Sequence, residues 1–350
     1  MKNFLLGAGV VFSLEMRQRV RGVALYVLLG VFFLLILIVT AILASVLFSS
    51  GAATNQQSGA SAFSTIIYFV LLLGTLVAPA LSGNAINGDR EAGTLATTQV
   101  TLVSSWQIVF GKFLASWVTA LAFLAVSVPF LIFSIVVGVA PLTVIVSILV
   151  LAVELGIVAA IGVGLSGVIS RPLFSIVVTY LVIAMLSIGT LIGFSLGGLL
   201  VESPTTTRVY SSTQSDADGN SIHCTYSQTD RGRAPRFDYV WGILVANPYV
   251  LLADAVPTTL DSHGNLTDLF GFIKYAERSA QIPPQLHTTQ NDCSLGQDDS
   301  PRYRKTIDST TPGWLVGLIF QLIIAGAALA AAGLKLKTPA GRLSKGSRVA

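Results

Sequence analysis

Glu154 is the one carboxylate set inside a long apolar run, and no Lys or Arg lies inside any such run. At bilayer depth a carboxylate costs about 2.5–3.5 kcal/mol or more and usually faces a bundle interior or a wet cavity. The matching chemistry is a proton or cation site, a polar point on an amphiphile's path, or a switch between closed and open states. The structural alternative is a protonated or hydrogen-bonded glutamate tying two helices together. A second group, Cys224, Cys293, His223, His263 and His287, holds every cysteine and histidine of the chain and falls within residues 202–312. Two thiols in an oxidising compartment read as one disulfide, closing a loop of about 70 residues worth about 4 kcal/mol. Two unpaired buried thiols are the alternative, and no ligand spacing supports a metal site. A third group lies in the polar stretch 83–112. There Asn87-Gly88-Asp89 signals a turn, and Asp89 is placed to cap a short helix over residues 90–98. Ser104 with Gln107 matches a capping box that starts the next helix near Ser105, with Trp106 and Lys112 near the membrane interface. A short polar helix tied to two apolar runs can carry a push from a soluble partner into a bilayer.

Other chemistry is missing from the sequence. The only Gly-Lys pair, Gly111-Lys112, is followed by Phe113 and has Trp106 where a phosphate-binding loop needs its first glycine. No nucleophile elbow or zinc-binding helix motif occurs. The expectation is a chain that is not an enzyme by itself and binds no metal or cofactor of its own.

The elements that must position these residues follow from composition. Of 350 residues, 53% are hydrophobic and only 11% charged, with a mean hydropathy of +0.75. Ordinary globular chains carry about 25% charged residues, so soluble enzymes, disulfide scaffolds and disordered regulators are excluded. A membrane-crossing helix needs roughly 20 apolar residues. Six segments qualify, at 22–48, 63–82, 113–139, 142–169, 173–201 and 314–334, and none shows the alternation of barrel strands. The predicted fold is an all-α polytopic membrane protein of six transmembrane helices. Residues 1–21 form an N-terminal interfacial helix, 22–201 carry spans one to five with the cytoplasmic loop 83–112, and 202–312 form an external domain. The sixth span, 313–335, and a basic tail, 336–350, complete the chain. The first run exceeds the 7–15 apolar residues of a signal peptide.

Basic residues set the orientation. Lys2, Arg17, Arg19, Arg21, Arg90, Lys112, Arg171, Lys335, Lys337, Arg342, Lys345 and Arg348 all fall on one side, whereas the loops 49–62 and 140–141 have none. By the positive-inside rule both termini are cytoplasmic. The formal charge of +4 is thus a topology signal, and nucleic acid is not implied. Residues 1–21 interleave Phe4, Leu5, Val11, Phe12, Met16 and Val20 with Arg17, Gln18 and Arg21, which fits a helix in the interface plane with its basic groups toward lipid headgroups. In the external segment, 239–256 is apolar but broken at Asn247-Pro248 and carries Asp254. Two short helices dipping into the outer leaflet are expected there. The flanking 205–236 and 281–312 read as surface loops.

The run Gly88-Asp89-Arg90-Glu91-Ala92-Gly93-Thr94-Leu95, followed by Ser104-Ser105 and Gly111-Lys112, resembles the loop between spans two and three of permease subunits of ABC transporters of the type-2 exporter family. The amphipathic start, six spans and large connection between spans five and six are similar to that family as well. Ala96 stands where an acid often follows Gly-Thr-Leu, and no proline precedes Ser104. The resemblance implies that residues 88–100 form a coupling helix on a separate ATPase, with Asp89, Arg90, Glu91, Gly93, Thr94 and Leu95 as coupling residues. It implies that 1–21 is the connecting helix. Two ATPase subunits would carry ATP and Mg, and a second permease, a copy or a paralogue, would pair around the substrate path in a prokaryotic plasma membrane. The cargo expected from apolar spans is hydrophobic or amphiphilic.

Two other classes stand beside this one. A secondary transporter would use Glu154 as its proton or cation site and work without an ATPase, and a membrane sensor or assembly protein would act through its outer domain. Gly189, Gly193 and Gly197 in span five, and Gly156, Gly162, Gly164 and Gly167 in span four, are stripes that let helices approach closely, within one subunit or between two.

Overall fold

The computed structural model describes residues 2–49, 56–93, 103–136, 138–212, 224–257, 260, 265–291 and 303–336. The chain opens with α1 (Lys2–Arg21) and α2 (Val23–Ser49), then α3 (Gln56–Ser82) and the five-residue α4 (Asn87–Glu91). Next come α5 (Ser105–Val136), α6 (Pro141–Val168), and a fifth long helix made of α7 (Pro172–Ala184), a π-helical segment (Met185–Gly189) and α8 (Thr190–Leu200). Among the described residues six helices are long and apolar enough to cross a membrane: α2, α3, α5, α6, the α7–α8 unit and α13 (Gly313–Lys335). This is a multi-pass membrane protein.

Local chemistry sets the boundaries. Pro141 and Pro172 open their helices at the first-turn position, where the missing N–H costs nothing. At α5 the capping box forms in both directions: Ser104 N–H donates to Gln107 Oε1 at 2.7 Å, and Gln107 N–H to Ser104 Oγ at 3.4 Å. The centre of the bundle is α6, 61% of whose apolar window is buried, against 11% for α2. Glycines allow α6 its close neighbours. A Cβ built on Gly164 would lie 2.6 Å from Ala328 Cβ of α13, and one on Gly156 would lie 2.9 Å from Trp117 Nε1 of α5.

Between spans five and six lies a mixed sheet of β1 (Glu202–Ser212), β2 (Cys224–Pro235) and β3 (His287–Asn291), in the order β2-β1-β3. β1 pairs antiparallel with β2 from Glu202↔Pro235, with a bulge at Val209/Tyr210, and parallel with β3 from Thr206↔His287. The strands fall where surface loops were expected. The Ser/Thr content that reads as loop is β-branched Thr, which suits a half-exposed pleat. The apolar stretch 239–256 holds two short helices, α9 (Trp241–Val245) and α10 (Pro248–Ala255). The Asn247 side chain caps the second by accepting the Tyr249 N–H at 2.9 Å. Two more helices, α11 (Leu269–Ala280) and α12 (Tyr303–Ser309), complete the segment. Cys293 and the side chain of Cys224 lie outside the described residues, as do His223 and His263.

Candidate functional site

The densest meeting of charged side chains with spanning helices lies at the bundle end that holds α1, α4, the start of α5 and the end of α13. α1 lies along α5, with Ala8 and Val11 buried. A Cβ on Gly111 would come within 2.7 Å of Ala8 O and Val11 Cβ, so the absence of a side chain there lets the two helices touch. This contact turns Arg19 inward. Its guanidinium donates to Thr119 Oγ1 (3.3 Å), Ser116 Oγ (3.0 Å) and Leu81 O (3.3 Å). The expectation that the basic groups of α1 face lipid headgroups is corrected for Arg19, while Arg17 and Arg21 are exposed.

One turn of α1 before Arg19, Glu15 meets Lys112. The Lys112 ammonium, 2% exposed, pairs with the Glu15 carboxylate, with Asp89 Oδ2 at 2.7 Å and with Ala85 O at 2.8 Å. Its three N–H donors thus have three acceptors from three parts of the chain. An interfacial position was expected for Lys112; the two carboxylates and the carbonyl supply the compensation that burial of an ammonium requires.

Asp89 itself was expected to cap a helix over 90–98. The helix starts earlier, at Asn87, because Ser166 Oγ of α6 accepts the N–H groups of both Ile86 (3.0 Å) and Asn87 (3.1 Å). Asp89 is left in the first turn, where it pairs with Lys112. Asn87 Nδ2 donates to Ile169 O at 2.7 Å, and Arg90 Nη1 to Asn87 Oδ1 at 2.5 Å. Gly93, at φ 68°, takes the left-handed conformation that favours glycine just after α4 ends. Glu91 and Gly93 are exposed, while Thr94, Leu95 and the rest of the expected coupling helix to residue 100 lie outside the described residues. Asp89 and Arg90 therefore sit within a junction joining α1, α4, α5 and α6, with Glu91 and Gly93 on its outer edge.

Glu154 stands apart from this junction. It is 2% exposed in the middle of α6, and its Oε1 has no hydrogen-bond partner. The Gln321 amide of α13 stands beside its carboxyl. Gln321 in turn donates to Ala246 O, in the break between α9 and α10, at 3.1 Å. Asn247, the next residue, donates to Ser187 O (2.5 Å) and Thr190 Oγ1 (3.0 Å) in span five. A polar seam thus runs from span four through span six and the paired short helices into span five. Gly189 meets only its own helix, at Met185, whereas Cβ atoms on Gly193 and Gly197 would face Ile243 (3.6 Å) and Val240 (3.2 Å) around α9. Beside the seam, α2, α3, α7, the π segment and α10 enclose a cleft of about 660 Å³. Its hydroxyls are turned to the protein: Tyr180 OH donates to Leu76 O (2.6 Å) and Tyr68 OH to Tyr249 O (3.1 Å). The remaining walls are apolar, a surface that suits a hydrocarbon better than an ion.

Among the described residues no group of three His, Cys, Asp or Glu is placed to hold a metal ion. Compared with protein-family models and with curated proteins, the chain matches none.

Proposed function

We propose that this chain is the membrane-spanning permease subunit of an ATP-driven exporter, moved by ATPase subunits on separate chains. The observation that carries the proposal is the Lys112 junction. A load applied at residues 88–93 has a direct path through Asp89 and Lys112 into α5 and α1, and through Ser166 into α6. The positive-inside rule puts this end in the cytoplasm, where an ATPase would reach it. ATP-driven closure of two ATPases would displace α4 and rock the spans it is tied to, changing access to a path for a hydrophobic or amphiphilic cargo. The apolar cleft suits such a cargo. A second permease, a copy or a paralogue, completes the assembly.

The test is purification from the native membrane, followed by assay for a co-eluting ATP-hydrolysing subunit. The expected result is co-elution that is lost when Glu91, Thr94 and Leu95 are replaced together by alanine. A chain that purifies alone and transports without ATP would refute it. One observation favours a second reading. Glu154 Oε1 and Gln321 Oε1 are both buried acceptors without partners, as a proton or cation site would require. Flux that needs no ATP and is abolished by Glu154→Gln would establish that reading instead.

A further inference from the structure

Four charged side chains gather outside the spans, where α13 begins. Asp254 of α10 accepts both arms of the Arg278 guanidinium of α11, Nε to Oδ1 at 2.8 Å and Nη2 to Oδ2 at 3.0 Å. Asp254 Oδ2 also accepts the N–H of Trp314, in the first turn of α13, at 2.9 Å. The free arm of Arg278 donates to Thr310 O at 2.9 Å. The first tie from α10 and α11 to the start of span six thus draws on all three nitrogens of the fork.

Glu277, the neighbour of Arg278, makes a second tie and is differently placed. It is 0% exposed. Its Oε1 accepts from Gln281 Nε2 at 2.8 Å, and Gln281 bonds Thr311 in both directions, to its O at 2.9 Å and from its N–H at 3.0 Å. The carboxyl is pressed against the first residue of α13: a Cβ on Gly313 would stand 2.8 Å from Glu277 Cδ. Glu277 Oε2 lies 3.2 Å from Arg278 Nε yet receives no hydrogen bond, since that N–H is aimed at Asp254. The other nearby cation, Lys274, gives its Nζ to Val256 O at 2.7 Å. A charged Glu277 is therefore a buried carboxylate with one oxygen lacking a donor and a second carboxylate sharing its guanidinium, a costly state.

We propose that Glu277 is a proton-binding site on the sheet side of the membrane, and that its proton latches the start of span six to α10 and α11. As a neutral acid it leaves the Asp254–Arg278 fork undisturbed and removes the repulsion between the two carboxylates. Burial first and then the charge of Asp254 raise Glu277 from 4.5 to about 7, against the opposing effects of the Gln281 hydrogen bond, Arg278 and Lys274. Because the value in the closed latch exceeds 4.5, protons favour closure. The stabilisation is complete below about pH 4.5, is lost as pH rises toward 7, and is gone above it. Thr311 is exposed, so the proton arrives from water on that side. This site is independent of how span six is driven from the other end.

The experiment uses the full chain in phosphatidylcholine nanodiscs. Amide hydrogen exchange is followed at Thr311 and Trp314, whose N–H groups the latch holds, and corrected for intrinsic exchange at each pH. For a group at about 7 closed and 4.5 open, the local opening constant rises about 30-fold from pH 5.5 to pH 8.5. Glu277→Gln, which keeps the shape and drops the charge, is expected to hold both amides protected and to reduce that rise below about threefold. Asp254→Asn is expected to speed exchange at Trp314 at both pH values. The proposal is overturned if wild-type opening is the same at the two pH values, or if Glu277→Gln keeps the full rise. Should Glu277→Gln fail to fold, the wild-type midpoint decides: near 7 supports the proposal, and below 5.5 overturns it.

Discussion

Replacing Lys112 with methionine isolates the junction that ties α1 and α4 to the third span. The side chain is 2% exposed and faces two carboxylates, whose own side chains are 14% (Glu15) and 28% (Asp89) exposed. Removing one partner of a buried ion pair costs about 3–5 kcal/mol, because the remaining charge is stranded. Asp89 can turn toward water and recover part of its solvation, while Glu15, on the face of α1 that meets α5, keeps Arg19 at 3.9 Å as its remaining cation. The expected cost is therefore at the low end, about 3 kcal/mol, or roughly a 100-fold rise in the unfolded fraction. The assay is reversible unfolding in mixed micelles, with Glu15→Gln and Asp89→Asn added in a mutant cycle. Neutralising all three groups removes the stranded charges, so the triple variant should return to within about 1 kcal/mol of wild type. Two results refute the reasoning: Lys112→Met alone costing under about 0.5 kcal/mol, or a triple variant as unstable as the single one. The first would mean that the ammonium is solvated, and the second that it acts by shape.

Other substitutions test the packing. Gly164→Ala should destabilise the fold by about 1–3 kcal/mol in the same assay, since its Cβ would sit 2.6 Å from Ala328 Cβ. Gly193→Ala, whose nearest neighbour would be 3.6 Å away, should be neutral or stabilise by up to about 1 kcal/mol through helix propensity. Ser166→Ala leaves the N–H groups of Ile86 and Asn87 without their acceptor and should cost about 1–3 kcal/mol, visible as faster proteolysis after Arg90. Asn247→Ala removes a helix cap and two bonds to span five, with an expected cost of about 1–2 kcal/mol on thermal unfolding.

What the sequence makes legible is what short-range chemistry decides. Long apolar runs fix six crossings, Ser104 with Gln107 starts α5, and Asn247-Pro248 splits α9 from α10. The missed features depend on partners far along the chain. Nothing around Lys112 says that Glu15 will lie above it, because that contact needs α1 to settle on Gly111. Arg19 looks like an interfacial anchor until Thr119 and Ser116 are brought beside it. β1 and β3 pair across some eighty residues, with no hairpin turn to announce them, and their threonines read equally well as loop. Asp254 was conspicuous as an acid in an apolar stretch, but its partner Arg278 belongs to another helix. The polar seam around Glu154 is hidden for the same reason, since Gln321 and Ala246 are remote in sequence.

The π-helical segment Met185–Gly189 changes how span five must be read. Wider turns amount to one residue inserted into the α-helical repeat, which advances everything downstream by roughly 100° of rotation. A face followed upward from Leu173 in 3.6-residue steps is therefore displaced by about 100° once it passes Gly189. A residue-by-residue accessibility scan should show its 3.6-residue rhythm skip one beat at Ser187, the residue whose carbonyl oxygen Asn247 holds. Deleting a single residue there would bring the two halves of the span back into phase and turn the upper half away from α9.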